Sequence, residues 1–535
     1  MNKSSFFSLI YILLCSVIFM AGDMIYSFYN SSYAFIPNKR NIVYPLTLFL
    51  ALSLISKLWL RVTLIVLIML SVMAHLFYFQ YFGNFIQPIA FMQIFQSTGE
   101  VFESLLPEFI AMIVPLLIVI LVATVLIYLN RKFQDKMISF RFSSYIFFIL
   151  VFIHLVIIFV LLNNTSGKLN NVQSRFIYVR PNRHSFENYM RSLNYFTAGI
   201  VPRIITGDYI DFPDIPQPSI TIKDPVRNIV LIIGESFRGD RMSVLGYNIK
   251  TSPLLDSLYS SEPFEKRMIY AGGTMTQTAF TALINRSKYP GGKNYISSAN
   301  NLFRLAKENG FSTSFISKQS LSQLEIIDDM LFRQYIDFFA SKSDFEKYIG
   351  NTTQYDGDLI PMMKNIDLSK SSFVVLHQRG SHSPVYNKYP EEFGKFFDPY
   401  NNSVLYTDYV IYNIYDYLKK NSLKETWLIF TSDHGELLGE AGNKKGHGWF
   451  EKEIYNVPYF CFRINPVDED NSGSKDVRCH FDVSSQIQNL LGYDSKPETD
   501  PERTIYINGS EMNALAGYME VKLKDGQMVS EEIIR

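Results

Sequence analysis

The sequence predicts an α-helical membrane domain of about five spans followed by an α/β sandwich domain. Three observations lead there. Nearly all the long uncharged runs lie before residue 165, and most of the charge lies after it. Beyond residue 225, short apolar runs of strand length alternate with helix-like segments. Several of those runs end in carboxylate, imidazole or hydroxyl side chains. At 535 residues the chain is too long for one ordinary core, so at least two domains are expected. Lys plus Arg and Asp plus Glu both number 50, so the global basic excess of a nucleic-acid binder is absent.

A helical span needs roughly 17–25 residues to cross the hydrocarbon core. Five stretches qualify, at residues 6–22, 41–56, 62–82, 109–129 and 142–162, the second being short. The first resembles a signal peptide in length, but it lacks a small-x-small cleavage site and further spans follow, so it reads as an anchor. Lys3, then Lys57 and Arg61, then Arg131, Lys132, Lys136 and Arg141 all fall on one side of a five-span arrangement. Lys39 and Arg40 are the exception. The positive-inside rule therefore puts the N-terminus in the cytoplasm and everything after about Asn163 outside it. The segment 91–103 mixes apolar and polar residues as a helix lying in the membrane interface does. Within it, Gln93, Ser97 and Glu100 are candidate contacts for a lipid head group. His75 and His154 fall inside spans and read as packed or interfacial histidines rather than as a proton relay.

Residues 1–163 thus form the membrane domain, 164–225 a linker with helical patches, and 226–535 an exported domain. The exported domain opens with Asn228-Ile-Val-Leu-Ile-Ile-Gly, a continuous apolar run expected of a strand buried on both faces. Runs at 268–271, 312–316, 373–376 and 427–431 repeat the pattern. Helix-like segments at 301–309 and 404–421 intervene, so a mostly parallel sheet covered on both faces is expected. Active sites of such sheets lie beyond the carboxyl ends of the strands. There the first strand leads into Glu235-Ser-Phe-Arg, the run at 373–376 into His377-Gln-Arg-Gly-Ser-His382, and the run at 427–431 into Ser432-Asp433-His434-Gly-Glu. Gly272-Gly-Thr-Met-Thr-Gln-Thr brings three hydroxyls to the same edge, and Lys445-Gly-His447-Gly adds an imidazole. Taken singly, Glu235 could serve a helix dipole, Asp433 a cap, and His447 a surface loop. Together, carboxylate and imidazole donors suit zinc or a similar divalent ion. Cys461 and Cys479 are the one possible exported pair, as a disulfide or as two thiols.

These residues carry a family resemblance. Gly234-Glu-Ser-Phe-Arg238-Gly-Asp-Arg, Gly246-Tyr-Asn-Ile-Lys-Thr-Ser-Pro253-Leu-Leu, Gly380-Ser-His382-Ser-Pro and Ser432-Asp433-His434-Gly-Glu-Leu-Leu-Gly-Glu440 resemble the bacterial phosphoethanolamine transferases. These are membrane-anchored members of the alkaline-phosphatase/sulfatase-like superfamily. The resemblance implies a catalytic zinc held by Glu235, Asp433, His434 and a nucleophilic threonine. Thr276-Gln-Thr278-Ala-Phe-Thr looks like the family's nucleophile segment, which makes Thr278 the expected nucleophile and Thr276 the alternative. It further implies that His382 and His447 contact the transferred phosphate or a second zinc, with Lys318 the candidate for a phosphate-contacting lysine. His377 has no counterpart.

The donor implied is phosphatidylethanolamine, and the acceptor an envelope glycolipid or glycan such as lipid A or the lipopolysaccharide core. Lipid A-modifying members flank the nucleophile with cysteines and carry exported disulfides. Neither feature occurs here, which leans toward core sugars or another glycan. The location implied is the bacterial inner membrane, with the catalytic domain in the periplasm. A glycerol-phosphate transferase of the lipoteichoic acid type, or an inactive membrane sensor, shares the architecture. A sulfatase would need a Cys- or Ser-x-Pro-x-Arg segment, and none is present.

Overall fold

A computed structural model describes residues 3–33, 35–92, 109–136, 145, 148–149, 151–152, 155–156, 184–206, 212–213, 215–291, 296–467, 476–494, 502–512, 514–525 and 527–534. The chain divides into two compact units, residues 1–208 with 439–445, and residues 209–438 with 446–535.

In the first unit, α1 (Lys3–Tyr29), α2 (Lys39–Ser53), α3 (Leu58–Phe82) and α4 (Phe109–Phe133) follow in order. Three helical stretches are long and apolar enough to cross a membrane, namely α1, α3 and Phe109–Lys136, the last being α4 with a short 3-10 turn. The five spans expected are therefore not all recovered. The second falls on α2, which has only 15 residues and contains Pro45. The fifth lies largely outside the described residues, as do His154, Gln93, Ser97 and Glu100.

Buried polar side chains of this unit are tied together. Tyr11 donates to Asn130 Oδ1 at 2.8 Å, and Tyr26 to Gln80 at 2.8 Å. The Asp23 carboxylate accepts from the Tyr33 hydroxyl (3.1 Å) and from the Ser185 backbone N–H (3.1 Å), and lies 3.0 Å from His184 Nε2. His184 also caps α5 (Ser185–Tyr195) by accepting the Phe186 N–H on Nδ1 at 3.2 Å, which leaves Nε2 as the nitrogen bearing hydrogen toward Asp23. His75 packs beside Tyr33 and Phe85, as expected of a packed histidine.

The second unit is built on a seven-stranded sheet. Its strands are β1 (Asn228–Gly234), β2 (Glu265–Tyr270), β3 (Ser312–Ser317), β4 (Phe338–Ala340), β5 (Ser372–His377), β6 (Thr426–Ser432) and β7 (Asn456–Ile464), in the order β2-β7-β6-β1-β5-β3-β4. The five from β6 to β4 are parallel, and β7 and β2 complete one edge antiparallel. Alternate residues of β1 enter opposite cores, as strand geometry requires. Ile229, Leu231 and Ile233 meet Phe280, Leu283, Leu305, Val483 and Ile487 on one face. Val230 and Ile232 meet Leu255, Val404, Ile411, Ile414 and Leu418 on the other.

The first cover comes from α7 (Thr276–Asn285), α8 (Leu302–Glu308) and α10 (His480–Leu490), and the second from α6 (Pro253–Ser261) and α9 (Pro399–Asn421). The start of α9 is set by Asp398, which accepts the Tyr400 N–H, and by Pro399 at its first position; Lys419 and Lys420 in the last turn complement the helix dipole. A three-stranded antiparallel sheet, β8 (Glu502–Asn508), β9 (Tyr518–Lys524) and β10 (Gln527–Ile534), closes the chain. All three cysteines are buried and free.

Candidate metal centre

Four adjacent parallel strands deliver the site. β1 ends at Glu235, β6 at Asp433 and His434, β5 at the loop carrying His382, and β3 at Lys318 and Gln319. The β1–β6 pairing continues one step past the strands, where the Asp433 N–H donates to Gly234 O at 3.0 Å. Ser236 takes a left-handed conformation (φ 54°) immediately after Glu235. That turn aims its N–H at Asp433 Oδ1 (3.0 Å) and its hydroxyl at Glu235 Oε1 (2.9 Å). The His382 loop approaches so closely that a Cβ on Gly380 (φ 54°) would lie 2.2 Å from Glu235 O, and the Ser381 N–H donates to that oxygen at 2.8 Å.

Glu235, Asp433 and His434 are all buried, and one ligand-capable atom of each lies within 4.8 Å of the others. Asp433 Oδ1 accepts the His434 N–H at 2.7 Å, whereas Oδ2 has no hydrogen-bond donor and sits 3.2 Å from His434 Nε2. His434 Nδ1 lies 2.9 Å from the Gly435 carbonyl and must donate to it, so Nε2 carries the lone pair. Burial, then the neighbouring Asp433 charge, raises the Glu235 carboxyl, and burial raises Asp433. Burial also lowers the His434 imidazole to about 4. Two crowded carboxylates beside a neutral imidazole, with one carboxylate oxygen unsatisfied, are a donor set that fits zinc.

The two threonines separate. Thr276, the first residue of α7, places its Oγ1 3.4 Å from Glu235 Oε2 and 3.3 Å from His434 Nε2. Thr278 turns back on the helix start: its hydroxyl donates to Met275 O at 2.9 Å and accepts the Met275 N–H at 3.2 Å. A Cβ on Gly273 would lie 2.1 Å from the Thr278 hydroxyl, so the glycine makes room for this cap. Thr276, the alternative, therefore sits beside Glu235 and His434, whereas the hydroxyl of Thr278, the residue expected there, stays on the Met275 backbone. The sequence signal was ambiguous because a hydroxyl two residues further along a helix faces elsewhere.

A second set adjoins the first. His382, Glu436 and His447 bring ligand-capable atoms within 4.8 Å of one another, and the His447 ring lies 4.4 Å from that of His434. Burial pushes the Glu436 carboxyl up, but the His447 imidazole 3.5 Å away and the other imidazoles around it more than offset this, so the group stays below its ordinary value. Glu436 was visible two residues after His434, yet its role shows only once the loop is folded. Gln319 was also missed; its amide donates to Glu235 Oε2 at 2.9 Å. His377 is a packed residue, held by Ser317 at 3.1 Å and ringed by Phe280 and Phe315. Lys318 points away into a buried pair with Asp358 at 2.6 Å.

Carboxylate, imidazole and hydroxyl groups thus converge at the carboxyl edge of a parallel sheet, in a set able to hold a metal ion. Residues 227–493 match the sulfatase family model, and the second unit is a sulfatase-family domain. Phosphoethanolamine transferase EptC of Escherichia coli K12 is 23% identical over 52% of this chain and 53% of its own length. The Kdo(2)-lipid A phosphoethanolamine 7''-transferase of Salmonella typhimurium is 25% identical over 50% of this chain and 52% of its own. The chain therefore spans about half the length of the curated relatives it matches. Among solved structures, the integral membrane lipooligosaccharide phosphoethanolamine transferase A of Neisseria meningitidis shares the fold. Its TM-score is 0.56 at 16% identity, covering 91% of this chain and 95% of that one.

Proposed function

We propose that the chain is a zinc-dependent phosphoethanolamine transferase of the bacterial inner membrane, with its catalytic unit in the periplasm. In this reading it moves phosphoethanolamine from phosphatidylethanolamine to an envelope glycolipid or glycan. The observation that carries the proposal is the Thr276 hydroxyl, set between Glu235 and His434 at the start of α7. Zinc held by Glu235, Asp433, His434 and Thr276 would lower the hydroxyl pKa and fix its position.

The protein's own groups supply the rest. Gln319 and Ser236 hold the Glu235 carboxylate, and the Gly435 carbonyl holds the imidazole of His434. The N-terminus of α7 favours the phosphate anion. The Thr276 hydroxyl gives up its proton as its oxygen bonds to phosphorus and the bond from phosphorus to the diacylglycerol oxygen breaks, and the diacylglycerol oxygen takes up a proton in turn. His382 and His447 line the phosphoryl position. The acceptor hydroxyl then attacks phosphorus and releases Thr276.

Incubating the full-length protein in lipid micelles with phosphatidylethanolamine and no acceptor tests the reading. Expected are diacylglycerol release and a phosphoethanolamine adduct on Thr276, both absent from Thr276→Ala. Release with no adduct on any residue would replace the covalent route with direct in-line transfer. Release from phosphatidylglycerol alone would favour the glycerol-phosphate activity.

A further inference from the structure

Phosphoryl transfer gathers negative charge on the non-bridging oxygens, and cationic side chains normally stabilise it. Lys318, the lysine expected to do so, is fully buried and committed elsewhere. Its ammonium donates to Asp358 at 2.6 Å and to the Thr353 carbonyl at 2.8 Å, and lies 4.4 Å from the Phe345 ring centroid. Arg238 is likewise engaged, with both Asp240 oxygens and with the Glu436 carbonyl. Arg379 reaches outward to the Gln354 carbonyl.

Lys388 is different. It follows His382 by six residues, in the loop that Ser381 and Gly380 pin against Glu235, and its residue is only 7% exposed. Among the described residues its ammonium has no hydrogen-bond or ion-pair partner. The charges that act on it are those of Arg379, Asp356, Glu235 and Glu436, the last two being one carboxylate of each ligand set. Each Asp356 oxygen already accepts one backbone N–H, from Arg379 and Gly380 at 2.7 and 2.9 Å. An ammonium held in so enclosed a loop without a fixed partner favours the arrival of an anion. A phosphate diester is such an anion, and it is the group the transferase reading brings to this edge of the sheet.

We propose that Lys388 contacts a non-bridging oxygen of the transferred phosphoryl group, in the role expected of Lys318. This rests on the transferase reading above. Burial, together with Arg379, lowers the ammonium to about 8, in keeping with a cation that lacks a fixed partner.

The test uses the full-length protein with Lys388→Met and Lys388→Arg, measuring zinc content, melting temperature, inorganic phosphate affinity, and kcat and KM for diacylglycerol release. Lys388→Met is expected to lower kcat about 100-fold and phosphate affinity about tenfold, with zinc content and melting temperature unchanged. Lys388→Arg is expected to recover most of both losses. Normal kcat and phosphate affinity in Lys388→Met would overturn the assignment. So would equal losses in both variants accompanied by a lower melting temperature, which would make Lys388 structural. A wild-type chain that releases no diacylglycerol refutes the transferase reading instead; phosphate affinity, which needs no turnover, then decides about Lys388 by itself.

Discussion

Removing the Asp433 carboxylate leaves His434 Nε2 and Glu235 facing an unfilled position, because Asp433 sits between the ends of β1 and β6. Asp433→Ala and His434→Ala are each expected to lose bound zinc and at least 10²-fold of transfer activity while remaining inserted in the membrane. Zinc analysis of the purified variants, alongside diacylglycerol release, checks this; near-normal zinc and turnover in both would dismantle the site. Thr278→Ala makes the opposite demand. It should keep bound zinc and turnover but destabilise α7 by about 1 kcal/mol, the usual cost of a lost helix-start cap, seen as a shift in the denaturation midpoint. At this scale the carboxylates and imidazoles were readable because they directly follow apolar strands. Which threonine faces them was not, since the answer depends on where α7 begins, and helix starts are the least legible feature of a sequence. Lys318 misled for a related reason: its neighbourhood on β3 was legible, but its partner Asp358 is 40 positions away.

Helix α6 shows how a distant side chain can finish an element. Its N-cap Ser252 spends its hydroxyl on the Val244 N–H, and Asp408 of α9 accepts the Leu254 and Leu255 N–H groups, each at 2.9 Å. Burial, opposed by those two donors, holds the Asp408 carboxyl up at about 7, against an unfolded value of about 3.9. A raised carboxyl stabilises the fold fully below the unfolded pKa and loses that contribution as pH climbs from about 4 through 7, by up to roughly 1.4 kcal/mol per pH unit. Asp408→Asn should abolish this slope, so melting curves of wild type and variant at pH 5 and pH 8 should differ in their pH dependence; parallel curves would count against it. The five strands anticipated from apolar runs all form: β1 over the expected residues, β3, β5 and β6 longer by one or two, and β2 starting three residues earlier and ending one sooner. Strand β7 escaped notice because it runs through Pro458 straight out of a short helix. It is also antiparallel, so no crossover helix announced it. β8 to β10 were missed because their outward faces are polar: β9 alternates buried Met519, Val521 and Leu523 with Glu520, Lys522 and Lys524.

For the chain as a whole, the charge distribution still argues for export of everything beyond the membrane helices, although three of the five expected spans are matched by helices of sufficient length. A reporter active only after export, fused after Thr165, should be active, and one fused after Arg131 silent. The inverse pattern would reverse the orientation. The division between apolar and charged halves was plain from composition, whereas α2 was ambiguous because 15 residues including a proline sit at the limit of spanning length. The buried thiols carry a different consequence. Cys461, its sulfur pushed up to about 12 mainly by burial, and Cys479 lie in separate packed environments and remain unlinked. Folding with these thiols free is expected to need none of the oxidising machinery that secreted domains commonly require. Strains lacking thiol oxidases should yield it in full, a strong reductant should leave its melting temperature in place, and the chain should be producible in a reducing cytosol.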